Sequence, residues 1–409
     1  MNKILRIACY GIAKKNSGSS GGANFLILEE LLKRGIEIDF YGRKDFMFPH
    51  DLLKYNNFTY IHVERPFLAD IADSIQGANN LLFVRNLQDK LIKQKIDDNH
   101  KNRQYALLFC LQRRPLFRPE DIPVVVWEVG PRYTNLQYIR KLRKKIISLC
   151  GIILYLKLEF FYGFLKSRSA KIEYNNMDIV ICGSQWSKNK LIDYGLKPDA
   201  VKVLPYPVDI NFFSSNNHRP HRNPNDSKLF LWLGRSEPRK RLDLLLEAFE
   251  LLLQERQDVK LKIIAGFAWA PGYRKLIDNF KFPEYLEYQP SIEPAKVPKL
   301  MEQCDVLVQP SEGENFGFSV AEALCCGLPV IVGSTNGTKD FISPSSFIFE
   351  DYTPECLKQK MLEAIKAAEQ KRENLALDAR KTAEQNFNVV KIIDDLESIF
   401  QESIKLDRS

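Results

Sequence analysis

The chain has 409 residues, more than one compact core usually carries, so its length implies two domains, or three at most. With 45% hydrophobic, 27% charged and 11% aromatic residues it has the make-up of an ordinary globular protein, which excludes disordered, repetitive and low-complexity classes. The net charge of +8 is concentrated: nine basic residues lie between 138 and 171 against the single acid Glu159, an excess equal to that of the whole chain.

The N-terminal stretch MNKILRIACYGIAKK has an apolar run too short for a signal peptide, and it continues as a strand. The eight cysteines lie mostly inside apolar runs and form no Cys-x-x-Cys pair, which points to buried thiols in a reducing compartment. A cytoplasmic protein is expected, with a peripheral place on the cytosolic face of a membrane as the alternative.

Short apolar runs then alternate with amphipathic segments. Strands are predicted at 5–12, 36–42, 58–64, 105–111, 124–129 and 178–184. After the first of them, KKNSGSSGGANFLILEELLKRG holds Gly18, Gly21 and Gly22 in a loop that runs into a helix. Such a loop is either a plain turn or a place where free helix N–H groups face an anion or a sugar. It is not a G-x-G-x-x-G fingerprint, which argues against a dehydrogenase.

The run IISLCGIILYLKLEFFYGFL at 146–165 is long enough to consider as a membrane span, but Lys157 and Glu159 fall within it. Two readings stand: a buried helical hairpin with basic ends, or a helix lying on an anionic membrane surface through 138–171, with Lys144 and Lys145 supplying charge. Nucleic acid is not expected, because no aromatic-basic interleave accompanies the charge.

A break at LPYPVDINFFSSNNHRPHRNPNDS (204–227) separates this series from a second, with strands predicted at 228–234, 261–266, 285–290, 305–311 and 328–334 and a helix at 241–255. Continuous Val/Ile/Leu runs separated by helices mean buried parallel strands. The expected architecture is α/β, with two doubly wound Rossmann-like domains: 1–205, with a C-terminal helix at about 388–409 packing back on it, and 206–387. Ligands then bind beyond the carboxyl ends of the strands.

Two constellations fall there. LWLGRSEPRKRLDLLLEAF places Arg235 and Lys240 five apart after a strand and at a helix start, with Arg239 and Arg241 beside Lys240. Cations ahead of a helix N-terminus oppose its dipole, so a diphosphate is a better explanation than a solvated turn. PSEGENFGFSVAEALCCGLPV follows a strand with Glu314 in its loop and Glu322 on the next helix. Carboxylates accept two hydrogen bonds at once and suit vicinal hydroxyls of a ribose or hexose, while Asn315, Phe316 and Gly317 add backbone donors. Glu322 is expected on the helix's apolar side.

These motifs resemble those of the retaining, nucleotide-sugar-dependent glycosyltransferases of family 4, whose GT-B fold has two facing Rossmann-like domains and a cleft between them. LGRSEPRKRLDLLLEAF is similar to that family's phosphate-binding stretch, and PSEGENFGFSVAEALCCGLPVIV to its Glu-x7-Glu signature. The resemblance implies that Arg235 and Lys240 grip a donor diphosphate, Glu314 contacts the transferred sugar and Glu322 the ribose. It further implies backbone contacts from Asn315, Phe316 and Gly317, closure by Gly21 and Gly22, and flanking of the base by Gly266 and the loop from Pro290 to Ile292.

One departure is visible. The family commonly has a His in the loop corresponding to VVVWEVGPRYTN, and none of the five His lies there. Glu128 and Arg132 are the acceptor-side candidates, against a structural role for Glu128 in an ion pair with an Arg. No Asp-x-Asp pair occurs in the sequence, so no metal is expected, and no cofactor beyond a UDP- or GDP-linked sugar donor. The expected reaction is transfer of a hexose to a glycan or lipid-linked acceptor, in cell-envelope or exopolysaccharide biosynthesis. A catalytically idle scaffold or partner subunit and a nucleotide-sugar epimerase are the alternatives.

Overall fold

The computed structural model describes all residues except 1–4, 14, 16–19, 43–48, 65–81, 132–133, 215–225, 268–269, 344–345 and 407–409. Gly18 and Arg132 lie outside the described residues. The chain folds as two units, one formed by Met1–Tyr133, Phe160–Pro207 and Val389–Ser409, the other by Thr134–Glu159 and Val208–Asn388.

Along the chain, the elements of the first half are β1 (Arg6–Gly11), α1 (Ser20–Lys33), β2 (Glu37–Gly42), β3 (Phe58–His62), α2 (Leu82–Arg103), β4 (Leu108–Leu111) and β5 (Val124–Glu128). Three short helices follow, α3 (Thr134–Lys141), α4 (Arg143–Cys150) and α5 (Ile152–Glu159). Next come a π-helical turn at Phe160–Lys166, α6 (Ser167–Tyr174), β6 (Ile179–Cys182), α7 (Gln185–Asp193) and β7 (Val201–Val203). The seven strands form one parallel sheet in the order β3-β2-β1-β4-β5-β6-β7. β4, β5 and β6 are buried at every position, as a sheet covered on both faces requires.

The second unit contains β8 (Lys228–Arg235), α8 (Leu242–Leu253), β9 (Val259–Gly266), α9 (Arg274–Asp278), β10 (Leu286–Gln289), α10 (Val297–Gln303) and β11 (Val306–Gln309). It continues with α11 (Phe318–Cys325), β12 (Val330–Gly333), β13 (Phe347–Phe349) and the long α12 (Pro354–Asn386). Its parallel sheet runs β10-β9-β8-β11-β12-β13. α8 is apolar nearly all round, and its buried leucines and Phe249 join Phe230, Trp232 and Ile263 in the main core of this unit.

The last helix, α13 (Val389–Leu406), belongs to the first unit. Its buried face carries Ile392, Ile393, Leu396 and Phe400, the spacing of a helix with one apolar side. Phe400 meets Phe109 edge-on at 5.0 Å, and Arg34 donates to Asp394 at 2.6 Å.

Segment α3–α5 differs from expectation. It lies in sequence between β5 and β6, yet packs with the second unit: Lys141 pairs with Glu312, Lys145 with Glu247, and a Cβ added at Gly272 would fall 2.1 Å from the Leu149 carbonyl oxygen. The reading of 146–165 as buried hairpin holds on one side only. Ile146, Tyr155 and Leu158 are buried, but Ile152, Ile153 and Leu156 are exposed. All eight cysteines are free thiols.

Candidate active site

The second sheet brings most of the predicted residues to the carboxyl ends of its strands. β8 ends at Arg235, whose register partner on β9 is Gly266, and Ser236 N–H donates to the Gly266 carbonyl at 3.0 Å. Gly266 in turn approaches the Pro290 carbonyl beyond β10, two residues before the half-buried Ile292. On the other side of β8, Gln309 at the end of β11 donates to the Leu233 carbonyl at 3.1 Å and to Ser319 Oγ at 2.8 Å, tying β8 to the first turn of α11.

Between these strand ends the two motifs meet. The turn Pro238–Lys240 is a single 3-10 turn with Pro at its start, and it presents Arg239 and Lys240 to Glu314. Arg239 Nη1 donates to Glu314 Oε2 at 2.9 Å, and Lys240 Nζ donates to the same oxygen. All three side chains are largely buried. The expected solvated alternative for this turn is therefore excluded at Arg239 and Lys240. Arg235 differs: its side chain is 67% exposed, and its guanidinium touches Glu237 at 3.2 Å.

Burial pushes the Glu314 carboxyl up, and the two cations overcome that push, holding it at about 2. Burial drives the Lys240 ammonium below its ordinary value against the pull of Glu314, and adjacent Arg239 adds to the lowering. The site thus stores an anion between two desolvated cations, in surroundings where such charges interact strongly.

The backbone around Glu314 is pinned. Its N–H donates to the Thr335 carbonyl at 3.1 Å and its carbonyl accepts from Gly337 N–H at 2.8 Å, a parallel bridge beyond β11 and β12. Gly317, the N-cap of α11, has φ +85°, and a Cβ there would fall 2.9 Å from Asn336 Oδ1, so glycine is needed on both counts. Asn315 is buried, and the Phe316 ring is buried edge-on to Phe387 at 5.5 Å. Phe316 is thus an anchor that leaves its backbone, not its ring, to a ligand.

Glu322 requires a correction. It does not lie on the apolar side of α11, because Phe318, Ser319 and Glu322 are the partly exposed positions of that helix while its other residues are buried. The spacing of three and four places them on one open face, so the carboxylate needs no burial to be explained.

Two predicted sets lie in the first unit. Gly21 and Gly22 form the first turn of α1, partly exposed. Glu128, at the end of β5, is buried. Arg114 Nη2 pairs with its carboxylate, Tyr174 Oη donates to it at 3.0 Å, and Arg114 Nη1 also reaches Glu173 at 3.5 Å. Its own carbonyl accepts from Tyr206 Oη at 2.7 Å. That is the structural ion pair set against a catalytic role, with the carboxylate occupied by an arginine.

Sequence reasoning passed over Glu312 and Tyr138. Glu312 is buried two residues before Glu314, taking Arg241 on one oxygen and Lys141 on the other. The Tyr138 ring packs so close to Gly313 that a Cβ there would fall 2.2 Å from it. Two glutamates in one loop give no sign in sequence of which faces which cation, and the partner helix α3 lies about 170 residues away.

Two Rossmann-like units, of seven and six parallel strands, are the make-up of the GT-B fold. Residues 213–382, the stretch that holds Arg235, Lys240, Glu314 and Glu322, match the family model described as glycosyl transferases group 1. A D-inositol 3-phosphate glycosyltransferase of Thermomonospora curvata is 24% identical over 228 residues, 50% of this chain and 53% of that one. An uncharacterized glycosyltransferase of Methanocaldococcus jannaschii is 28% identical over 197 residues, 46% and 50% of the two chains. The chain thus spans about half the length of these curated relatives.

Among solved structures, Anabaena HepE in complex with UDP-glucose superposes with a TM-score of 0.65 at 17% identity, covering 97% of this chain and all of that one. Sucrose-phosphate synthase of Thermosynechococcus elongatus superposes with a TM-score of 0.68 at 16% identity, covering 97% and 98%.

Proposed function

We propose that the protein is a retaining glycosyltransferase that moves a hexose from a nucleoside-diphosphate donor to a glycan or lipid-linked acceptor without a metal. The observation that carries the reading is the grip of Arg239 and Lys240 on Glu314 beyond the carboxyl ends of β8 and β11. An ammonium has three donors, so Lys240 can keep Glu314 and still meet a phosphate oxygen, with Arg235 open beside it. As the diphosphate leaves, negative charge develops where these fixed cations stand, which is the stabilisation that transfer requires. Glu314 then accepts from hydroxyls of the transferred sugar, and Glu322, on the open face of α11, from the ribose.

A UDP-linked donor is supported by HepE, whose structures hold UDP and UDP-glucose. The cytosolic face of an envelope, where lipid-linked acceptors are built, is the setting that fits such a reaction.

A screen of UDP-, GDP- and ADP-sugars for hydrolysis and transfer tests the proposal. One of them is expected to be turned over, with Lys240→Ala or Glu314→Ala lowering the rate by about 10²-fold or more. Donor conversion without any acceptor points instead to an epimerase, and absence of nucleotide binding by calorimetry to an idle scaffold.

A further inference from the structure

The loop that carries Glu314 is fastened by one hydroxyl, that of half-buried Tyr352. Tyr352 lies just beyond β13, and its ring meets Phe349, the last residue of that strand, edge-on at 5.0 Å. Lys141, already paired with Glu312, stands 5.9 Å from the centre of the same ring. Gly333 ends β12, and a Cβ there would fall 2.3 Å from Tyr352 Oη. The glycine leaves room for the hydroxyl to reach the loop.

The bonds at that hydroxyl have a direction. Gly313 N–H donates to Thr335 Oγ1 at 3.0 Å, and Thr335 Oγ1 is in turn hydrogen-bonded to Tyr352 Oη. Tyr352 Oη donates to the Ser311 carbonyl at 3.2 Å. A hydroxyl has one proton, so with the tyrosine's given to Ser311 it is the threonine that donates between the two. Thr335 N–H adds a second donor to Tyr352 Oη at 3.2 Å. Burial holds the Tyr352 phenol above its ordinary value, against the pull of the Thr335 bonds, so the oxygen keeps the proton it donates.

Every residue from Ser311 to Glu314 is tied in this way. Ser311 is held by Tyr352, Gly313 by Thr335 Oγ1, and Glu314 by the Thr335 carbonyl, which accepts its N–H at 3.1 Å. Only Glu312 looks elsewhere, its N–H donating to the Arg239 carbonyl. A few ordinary hydrogen bonds at a half-buried position add modestly to overall stability. A small displacement of a group that must meet a substrate costs rate far more steeply. Position, not stability, is what this arrangement secures.

We infer that Tyr352 and Thr335 are positioning residues for Glu314, their hydroxyls aligning its carboxylate with the sugar to be transferred. The inference rests on the transferase reading above and deepens it. Among the described residues, the side chains of Arg235 and Lys240 make no bond to these hydroxyls, so the sugar end of the donor is served and the diphosphate end is not.

Three variants test it. Tyr352→Phe keeps the ring and removes its hydroxyl, Thr335→Val keeps the shape and removes Oγ1, and Thr335→Ser keeps the oxygen. Amide exchange over residues 311–316 reads the loop without any reaction, and is expected to quicken in the first two variants and not in the third. Calorimetry with UDP and turnover of UDP-glucose then read the site, with the GDP and ADP counterparts run alongside. The first two variants are expected to bind the nucleotide as the wild type does and to lose kcat by about 10-fold or more. Thr335→Ser is expected to recover most of the rate that Thr335→Val loses. Combining Tyr352→Phe with Thr335→Val is expected to add little to either alone, because both break one connected set of bonds.

Unchanged exchange, or kcat kept by both variants, overturns the assignment alone. So does nucleotide binding lost in step with a lowered thermal midpoint, which would make the hydroxyls structural only. A wild type that binds no nucleotide and turns over no sugar fails the transferase reading itself, and the assignment falls with it.

Discussion

Arg241 Nη1 donates to Glu312 Oε2 at 2.9 Å, while its neighbour Lys240 pairs with Glu314, so adjacent cations serve adjacent halves of one loop. The backbone makes this possible. Arg241 has φ 53° and ψ 42°, a left-handed conformation that costs a non-glycine residue roughly 1–2 kcal/mol and turns its side chain away from that of Lys240. Glu312 N–H also donates to the Arg239 carbonyl at 2.7 Å, joining the turn and the loop through main chain as well as side chain.

Glu312 therefore holds Glu314 in place without sharing its cations. Glu312→Ala leaves Arg241 buried beside Asp243 alone, and breaking a buried pair costs about 3–5 kcal/mol. Urea denaturation is expected to show a loss of that order. Replacing all three groups, with Arg241→Met, Glu312→Leu and Asp243→Asn, is expected to cost clearly less, because neither buried carboxylate is then left without its arginine. Equal losses would mean that the pair's charge is not what the loop depends on.

The depressed Glu314 carboxyl makes a prediction about acid. Its pKa in the fold is about 2 against an ordinary 4.5, so the folded state holds the proton less tightly than the unfolded chain. The stability this contributes is complete above pH 4.5 and is lost as pH falls through about 2, on the order of 3 kcal/mol in all. Glu314→Gln removes the titrating group, so its loss of stability between pH 4.5 and 2.5 is expected to be shallower than that of the wild type. Parallel curves would place the charge elsewhere.

Much of the fold was readable because parallel strands buried on both faces are continuous apolar runs, as VVVWE and KLFLWLGR are. The three-residue strands β7 and β13 escaped notice. Both lie at sheet edges, and VKV and FIF are too short to carry a pattern. The site was legible in part: Glu314 and Lys240 meet as their motifs suggest. Which of Arg235, Arg239 and Arg241 joins them was not legible, since the left-handed turn at Arg241 decides it and no residue type there announces such a turn. Long-range partners such as Tyr138 are set by the packing of α3, which periodicity does not reach.

Gly313 tests that packing. It has φ +70°, and an added Cβ would fall 2.2 Å from the Tyr138 ring. Gly313→Ala is expected to lower both stability and donor turnover, by displacing the loop next to Glu314. Adding Tyr138→Ala restores the space but not the backbone conformation, so partial recovery is expected. Full recovery would mean that the steric clash is the whole cost; none would mean that the left-handed backbone is.

In the first unit, Arg114 stands between Glu128 and Glu173, with Arg85 closing the far side of Glu173. Both carboxylates are fully buried, so Arg114→Met removes the buried cation paired with Glu128, while the hydroxyl of Tyr174 stays in place. A loss of about 3 kcal/mol or more is expected in urea. Adding Glu128→Gln is expected to recover part of it, since a neutral amide can keep a hydrogen bond to Tyr174 without a cation. If Glu128 instead served an acceptor as a base, Glu128→Gln alone would abolish transfer in protein of unchanged stability. Measuring the urea midpoint and the transfer rate on the same preparation separates the two roles.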